Sequence, residues 1–290
     1  MNSFTAPLAP SSVSLSRLAH IFVAGAFAWL SVFGAPAQAA NRERVEAFLQ
    51  VTGFDVAIES IALSASSAPI LLGLEEEDFG LQWTALTREV FDTEFMHDRA
   101  LDILEATLDD DSLAHAAAFY ASDLGQRLVA VENAAHMGDD EEKELVGGAL
   151  LADLEANDDP RVDLFKRMTV AIDPEDVGSD AILEIQVRFI LAASYAGVVD
   201  LRTDEEGLRA ALRENAAEMD AEIELSSLRN AAYTYQDFSL EELIEYTEAL
   251  EDPTMMTVYE LMNAVHFEVM ANRFQALAVR MGDLQPAQEL

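Results

Sequence analysis

Glu132 and His136 stand four residues apart, a spacing that places two side chains on one helical face and lets a carboxylate and an imidazole share a metal ion. No H-E-x-x-H accompanies them, and the residue 130 positions beyond Glu132 is Met262, so the pair does not recur. His97, His115, His136 and His266 are spread along the chain, and His136 and His266 close apolar stripes, where an imidazole suits the negative end of a helix dipole. Ser122 carries a nucleophilic hydroxyl beside Asp123 but lacks a G-x-S-x-G elbow, so a helix cap is the better reading. Gly147-Gly148 is not followed by G-K-[ST], which removes a phosphate loop. Met255, Met256, Met262 and Met270 could offer thioethers to copper, but the same spacing fills a helical core. Carboxylate pairs for acid–base hydrolysis cannot be selected, because 54 Asp and Glu residues supply every spacing. With no cysteine, disulfides, thiolate catalysis and Cys-ligated zinc are all excluded. No catalytic, cofactor-binding or metal-ligating residue is therefore singled out, and no cofactor is expected.

These residues must be positioned by helices, and one stretch organises them. From Leu108 to His136, Asp109 is a cap, and Leu113, Ala117, Tyr120, Leu124, Leu128, Val131 and Ala135 follow at steps of three and four. Ser122 is a second cap, which predicts two short helices joined at a tight corner. The pattern returns from Phe238 to His266. There Ser239 and Glu242 form a capping box, Asp252-Pro253 caps and starts the next helix, and Asn263-Ala264-Val265-His266 answers Asn133-Ala134-Ala135-His136. The expectation is an internal duplication with an offset of about 130 residues.

The N-terminal part reads as a leader. Arg17 precedes an apolar run from Leu18 to Phe33, followed by Pro36 and the A-x-A site Ala37-Gln38-Ala39, so a cut between Ala39 and Ala40 is expected. That run is short for a spanning helix. The 290-residue chain has 17 Lys and Arg against 54 Asp and Glu, a net charge of −37, yet is 51% hydrophobic. Such hydrophobicity argues for a packed core rather than disorder. The acidity repels nucleic acid and anionic lipid surfaces, so no nucleic-acid partner is expected, and it attracts basic proteins, peptides or cations. The same acidity keeps an exported protein soluble.

Along the mature chain, Val45, Phe48 and Leu49 make a first stripe that stops near Gly53, and Phe54 to Ser64 continues it. Glu75 to Asp78 suits a helix start, followed by Trp83, Leu86, Val90, Phe91 and Phe95, then by a helix from about Asp98. Gly138 and the acids Asp139 to Glu142 close the first half. Linker helices are predicted over Glu144–Asn157 and Arg161–Ile172. Ser179 is expected to cap an apolar helix over Ile182–Val199, and Thr203 with Glu206 a second capping box opening one long helix to Tyr233 and Tyr235. No alternating strand pattern or hairpin dipeptide is present. The expected fold is all-α, a helical bundle or array of two similar halves: a signal peptide over 1–39, a first repeat over 40–137, a linker over 138–178 and a second repeat over 179–290.

Phe119-Tyr120-Ala121-Ser122-Asp123-Leu124-Gly125-Gln126-Arg127 resembles the F-Y-x-S-P-x-G-[QR] corner of the bacterial exported domain of unknown function 2059 family, with Asp123 where Pro is usual. The second copy keeps Pro253 but lacks the Phe-Tyr and the Gly, and the closing Met281-Gly282-Asp283-Leu284 is similar to tails of duplicated members. The resemblance implies an all-helical periplasmic protein and carries over no catalytic residue. Three functions follow as expectations: a periplasmic or secreted protein- or peptide-binding module, with no stable membrane anchor after cleavage and its oligomeric state open; an envelope hydrolase using buried carboxylates; or a small-molecule, lipid or metal carrier. The Met and aromatic faces of the two halves are the expected lining of a groove for a peptide or lipid chain.

Overall fold

A computed structural model describes residues 42–74, 79, 81–174, 177–214 and 216–284. The leader and its cleavage site, and the acidic run Glu75–Asp78, lie outside the described residues. The described residues form helices and no β-strand, as the periodicity predicts. In chain order they are α1 (Arg42–Thr52), α2 (Phe54–Ser60), a 3-10 helix (Ile61–Ser67), α3 (Ala68–Leu71), α4 (Leu81–Val90), α5 (Thr93–Thr107), α6 (Asp110–Tyr120) and α7 (Asp123–His136). Then come α8 (Asp140–Ala156), α9 (Arg161–Ile172), α10 (Gly178–Tyr195), α11 (Glu205–Arg213), α12 (Ala216–Thr234), α13 (Leu240–Leu250) and α14 (Pro253–Met281).

Caps explain most of the starts. Asp109 accepts from the Asp111 and Ser112 amides at the head of α6, and Ser122 accepts from the Gly125 amide at the head of α7. Ser239 and Glu242 complete the capping box of α13, and Asp252 accepts from the Thr254 amide ahead of Pro253. The two corners therefore recur at the same offset: α6 and α13 are each 11 residues long. Asp110 becomes Leu240 and Asp123 becomes Pro253.

Some boundaries move. Asp92, not a residue near Asp98, caps α5, which turns Phe95 outward to 47% exposure instead of into the α4 stripe. The acids Asp139 to Glu142 open α8 rather than closing the preceding segment: Asp139 caps it and the others fill its first turn, where the dipole favours them. Ser179 lies inside α10, and the Asp173 carboxylate instead accepts from the Val177 and Gly178 amides ahead of it. Asp204, one residue past Thr203, caps α11. The expected long helix is divided into α11 and α12. In each case a neighbouring short acidic side chain wins the orphan amides, a choice that periodicity does not report.

The long helix α14 runs through the middle, packed along α4, α5, α6 and α10. Its Phe274 meets Phe91 and Phe189 edge-on, at centroid distances of 5.6 and 5.4 Å. The stretch expected to link the halves adds Leu151, Leu164, Phe165 and Met168 to the same core. A smaller apolar cluster joins Leu183 and Val187 to Leu208. The described residues form one compact unit. Among the described residues, Phe54–Leu71 is the one helical stretch long and apolar enough to cross a membrane. Here it is divided into α2, the 3-10 helix and α3, with Ile58, Ile61, Ala65 and Ala68 buried.

Candidate functional site

The two corners meet on a buried polar cluster. Glu132, three turns into α7, turns its carboxylate toward the second corner. Its Oε1 accepts the Tyr246 hydroxyl from α13 at 2.7 Å and the Tyr235 hydroxyl, just past α12, at 2.8 Å. The Tyr120 hydroxyl at the end of α6 lies 3.3 Å from that of Tyr246 and is hydrogen-bonded to that of Tyr259 in α14. Four of the six tyrosines thus converge on one acid, with Tyr120 and Tyr246 each 1% exposed, Tyr259 8% and Tyr235 9%. Phe119 stacks on Tyr246, and Phe54 and Phe165 cover Tyr259 and Tyr235.

Burial dominates the electrostatics. It raises the Glu132 carboxyl above its ordinary range, against the opposing pull of the Tyr246 and Tyr235 hydroxyls. It also raises all four phenols, with the Glu132 charge adding to the effect, so they stay protonated and act as donors. Hydroxyl protons can run from Tyr120 or Tyr259 through Tyr246 to Glu132, and each group then has a partner. The cluster can hold and pass a proton and tie the corners together. Acid–base hydrolysis needs a second carboxylate and room for water, whereas the groups around Glu132 are phenols.

The other sequence candidates separate. His136, exposed at the end of α7, is not among the hydrogen-bond partners of Glu132. His266 is partly buried in α14, and burial first, then the nearby His136 ring, holds it down to about 4. His97 lies against the Asp55 carbonyl at 3.0 Å, and His115 lies 3.2 Å from Asp252, the cap of α14. Among the described residues, no group of three His, Asp or Glu side chains gathers as metal ligands. Met255 and Met262 are packed in the core, 0% and 2% exposed, while Met256 and Met270 are partly buried. The expected groove lined by methionines and aromatics is filled by them.

Gly147 and Gly125 serve packing. A Cβ on Gly147 would lie 2.2 Å from the Arg229 carbonyl oxygen, so the glycine lets α8 and α12 touch backbone to backbone. Beside that contact lies a surface groove of 620 Å³. It is lined by Leu145, Gly148, Leu151, Ala152 and Leu225 together with Glu141, Glu144, Glu155 and Arg229. Leu145 is 74% exposed. A second, 420 Å³ recess borders Thr84, Thr87, Arg88 and Phe91. Neither reaches the tyrosine cluster.

Sequence reasoning weighed Glu132 as a ligand and missed the tyrosines, which sit at core positions in apolar stripes. The available signal was that polar-tipped residues flank both corners, Tyr120 and Glu132 the first, Tyr246 and Tyr259 the second.

Residues 94–150, from the first turn of α5 into α8, match the family model described as "Uncharacterized protein conserved in bacteria (DUF2059)", about a fifth of the chain. The match spans the Phe119–Arg127 corner. No curated protein and no solved structure was found to match the chain.

Proposed function

We propose that this chain is an exported helical binding module of the bacterial envelope that engages a protein or peptide through the groove between α8 and α12. Export rests on Arg17, the apolar run Leu18–Phe33 and Ala37-Gln38-Ala39. The observation that carries the binding reading is the groove itself, in which the exposed Leu145 stands with Leu151, Ala152 and Leu225 among acidic residues. Glu132 and the four buried tyrosines, by contrast, are engaged with one another, so Glu132 faces phenols rather than a substrate space. A hydrolytic reading would have to begin at Glu132, and a lipid or metal carrier would need an internal space that the methionines and aromatics occupy.

The test is selection of a random peptide library on the purified protein and on Ala152→Trp, which fills the groove from an exposed position. Peptides enriched on the wild type, competing with one another and lost on the variant, are the expected result. No enrichment, or enrichment equal on both proteins, overturns the reading.

A further inference from the structure

We propose that the occupant of this groove is a cationic amphipathic helix, with its leucine-type stripe on Leu145, Ala152 and Leu225 and its Lys or Arg residues facing Glu141 and Glu155. The proposal rests on the binding-module reading and adds the chemistry of the partner. The shape comes from the two helices. Glu141 to Glu155 spans fourteen residue steps along α8, roughly 21 Å at 1.5 Å per residue, the length of about four helical turns. Two packed helices present ridges and a trough, which receive the side-chain ridge of a third helix. Among the described residues there is no sheet edge to which an extended peptide could add.

The charge comes from the acids. Arg229 is the one cation lining the groove, and it is already engaged, with Glu144 at 2.8 Å and Glu222 at 3.5 Å. Glu141 and Glu155 are exposed, and so is Glu142 in the same first turn of α8, whereas the exposed Asp140 is paired with Lys143 at 2.7 Å. The chain as a whole carries −37. An anionic ligand would meet repulsion at close range and from afar, whereas a basic one is drawn in. The exposed Leu145 keeps this from being a matter of charge alone, because its apolar area is covered only when an apolar side chain seats on it.

Three labelled synthetic peptides of about fourteen residues, matched to the length of the groove, test the proposal by fluorescence anisotropy on the purified protein. They are a Lys/Leu amphipathic helix, the same helix with Glu for Lys, and an isomer of the first with its stripe scrambled. The first should bind saturably, at least ~10-fold tighter than the others, and weaken with added salt without vanishing. Leu145→Glu separates the two forces, since it adds a negative charge while removing the apolar seat. A loss of ~10-fold or more on Leu145→Glu is expected. Equal binding of the scrambled isomer, or tighter binding to Leu145→Glu, overturns the proposal in favour of charge attraction alone. If none of the three binds while library selection yields acidic or extended peptides sensitive to Ala152→Trp, the helical, basic occupant is wrong and the module stands. If selection also fails, both fall.

Discussion

The corner at Ala121-Ser122 and the corner at Glu251-Asp252 use the same backbone device with different contents. Each has an 11-residue helix, a short-side-chain cap and a second helix starting at once. In the first, the third residue of the second helix is Gly125, and a Cβ there would lie 2.4 Å from the Phe119 carbonyl. In the second, the equivalent residue is Met255, fully buried. Tyr120 answers Leu250, and Glu132 answers Met262. The first corner crosses at backbone contact, whereas the second is spaced by an apolar side chain and continues into the 29-residue spine α14; both send polar tips inward, Tyr120 and Glu132 from the first and Tyr246 and Tyr259 from the second. A corner of this kind is thus set by its caps. What lies between two such corners is set by a few side chains that the caps do not constrain.

The sharpest way to break this comparison is at the glycine. Gly125→Val should destabilise by about 3 kcal/mol or more, since backbone atoms stand where its side chain must go, whereas Met255→Leu should cost less than about 1.5 kcal/mol. Urea melts of the two variants check this, and equal losses would mean that the crossings are alike.

Next in size is an acid effect at the end of the second corner. His266 has a folded pKa of about 4, below its unfolded value, so the unfolded chain takes the proton first. Its contribution is intact above the unfolded pKa and is lost as pH falls from about 6.5 toward 4, by up to about 3 kcal/mol. His266→Gln should flatten that part of the stability–pH profile, and an unchanged profile would contradict the burial argument.

Glu132 carries the opposite sign. Its folded pKa is raised, so its contribution is complete below the unfolded value and is lost as pH rises through the folded one. Glu132→Gln, which keeps an acceptor for Tyr235 and Tyr246, should match or exceed wild-type stability at neutral pH. Glu132→Leu strands both hydroxyls and should cost about 2 kcal/mol. Thermal melts of both variants across pH read this directly; a loss in Glu132→Gln equal to that in Glu132→Leu would show that the charge itself holds the corners together.

The smallest expected effect lies in the caps. Ser122→Ala and Ser239→Ala should each cost about 1 kcal/mol, slightly less at Ser239, where the backbone N–H keeps its bond to Glu242 after the hydroxyl is lost. Matched denaturation curves would show whether the two caps are equivalent.

Much of the fold was legible because its causes are local. The caps at Asp109, Ser122, Ser239 and Asp252, the bounds of α9 and the end of α14 at Met281 all follow from neighbours within one turn. Errors arose where two candidates competed, as with Asp204 beside Thr203, since backbone geometry decides which oxygen reaches the amides. The site was less legible. Tyr120 lies 126 and 139 residues from its partners Tyr246 and Tyr259, and a hydroxyl's partner at that separation leaves no periodic trace.

The all-α class, the two corners and the strong negative charge were determined by the sequence alone, because helix periodicity, capping and charge act at short range or as simple sums. Only the tertiary structure decided that Glu132 faces tyrosines rather than His136, that Gly147 is a helix contact, and that Leu145 stands exposed between acids. Those outcomes depend on which distant surfaces desolvate one another, a property of the whole packing.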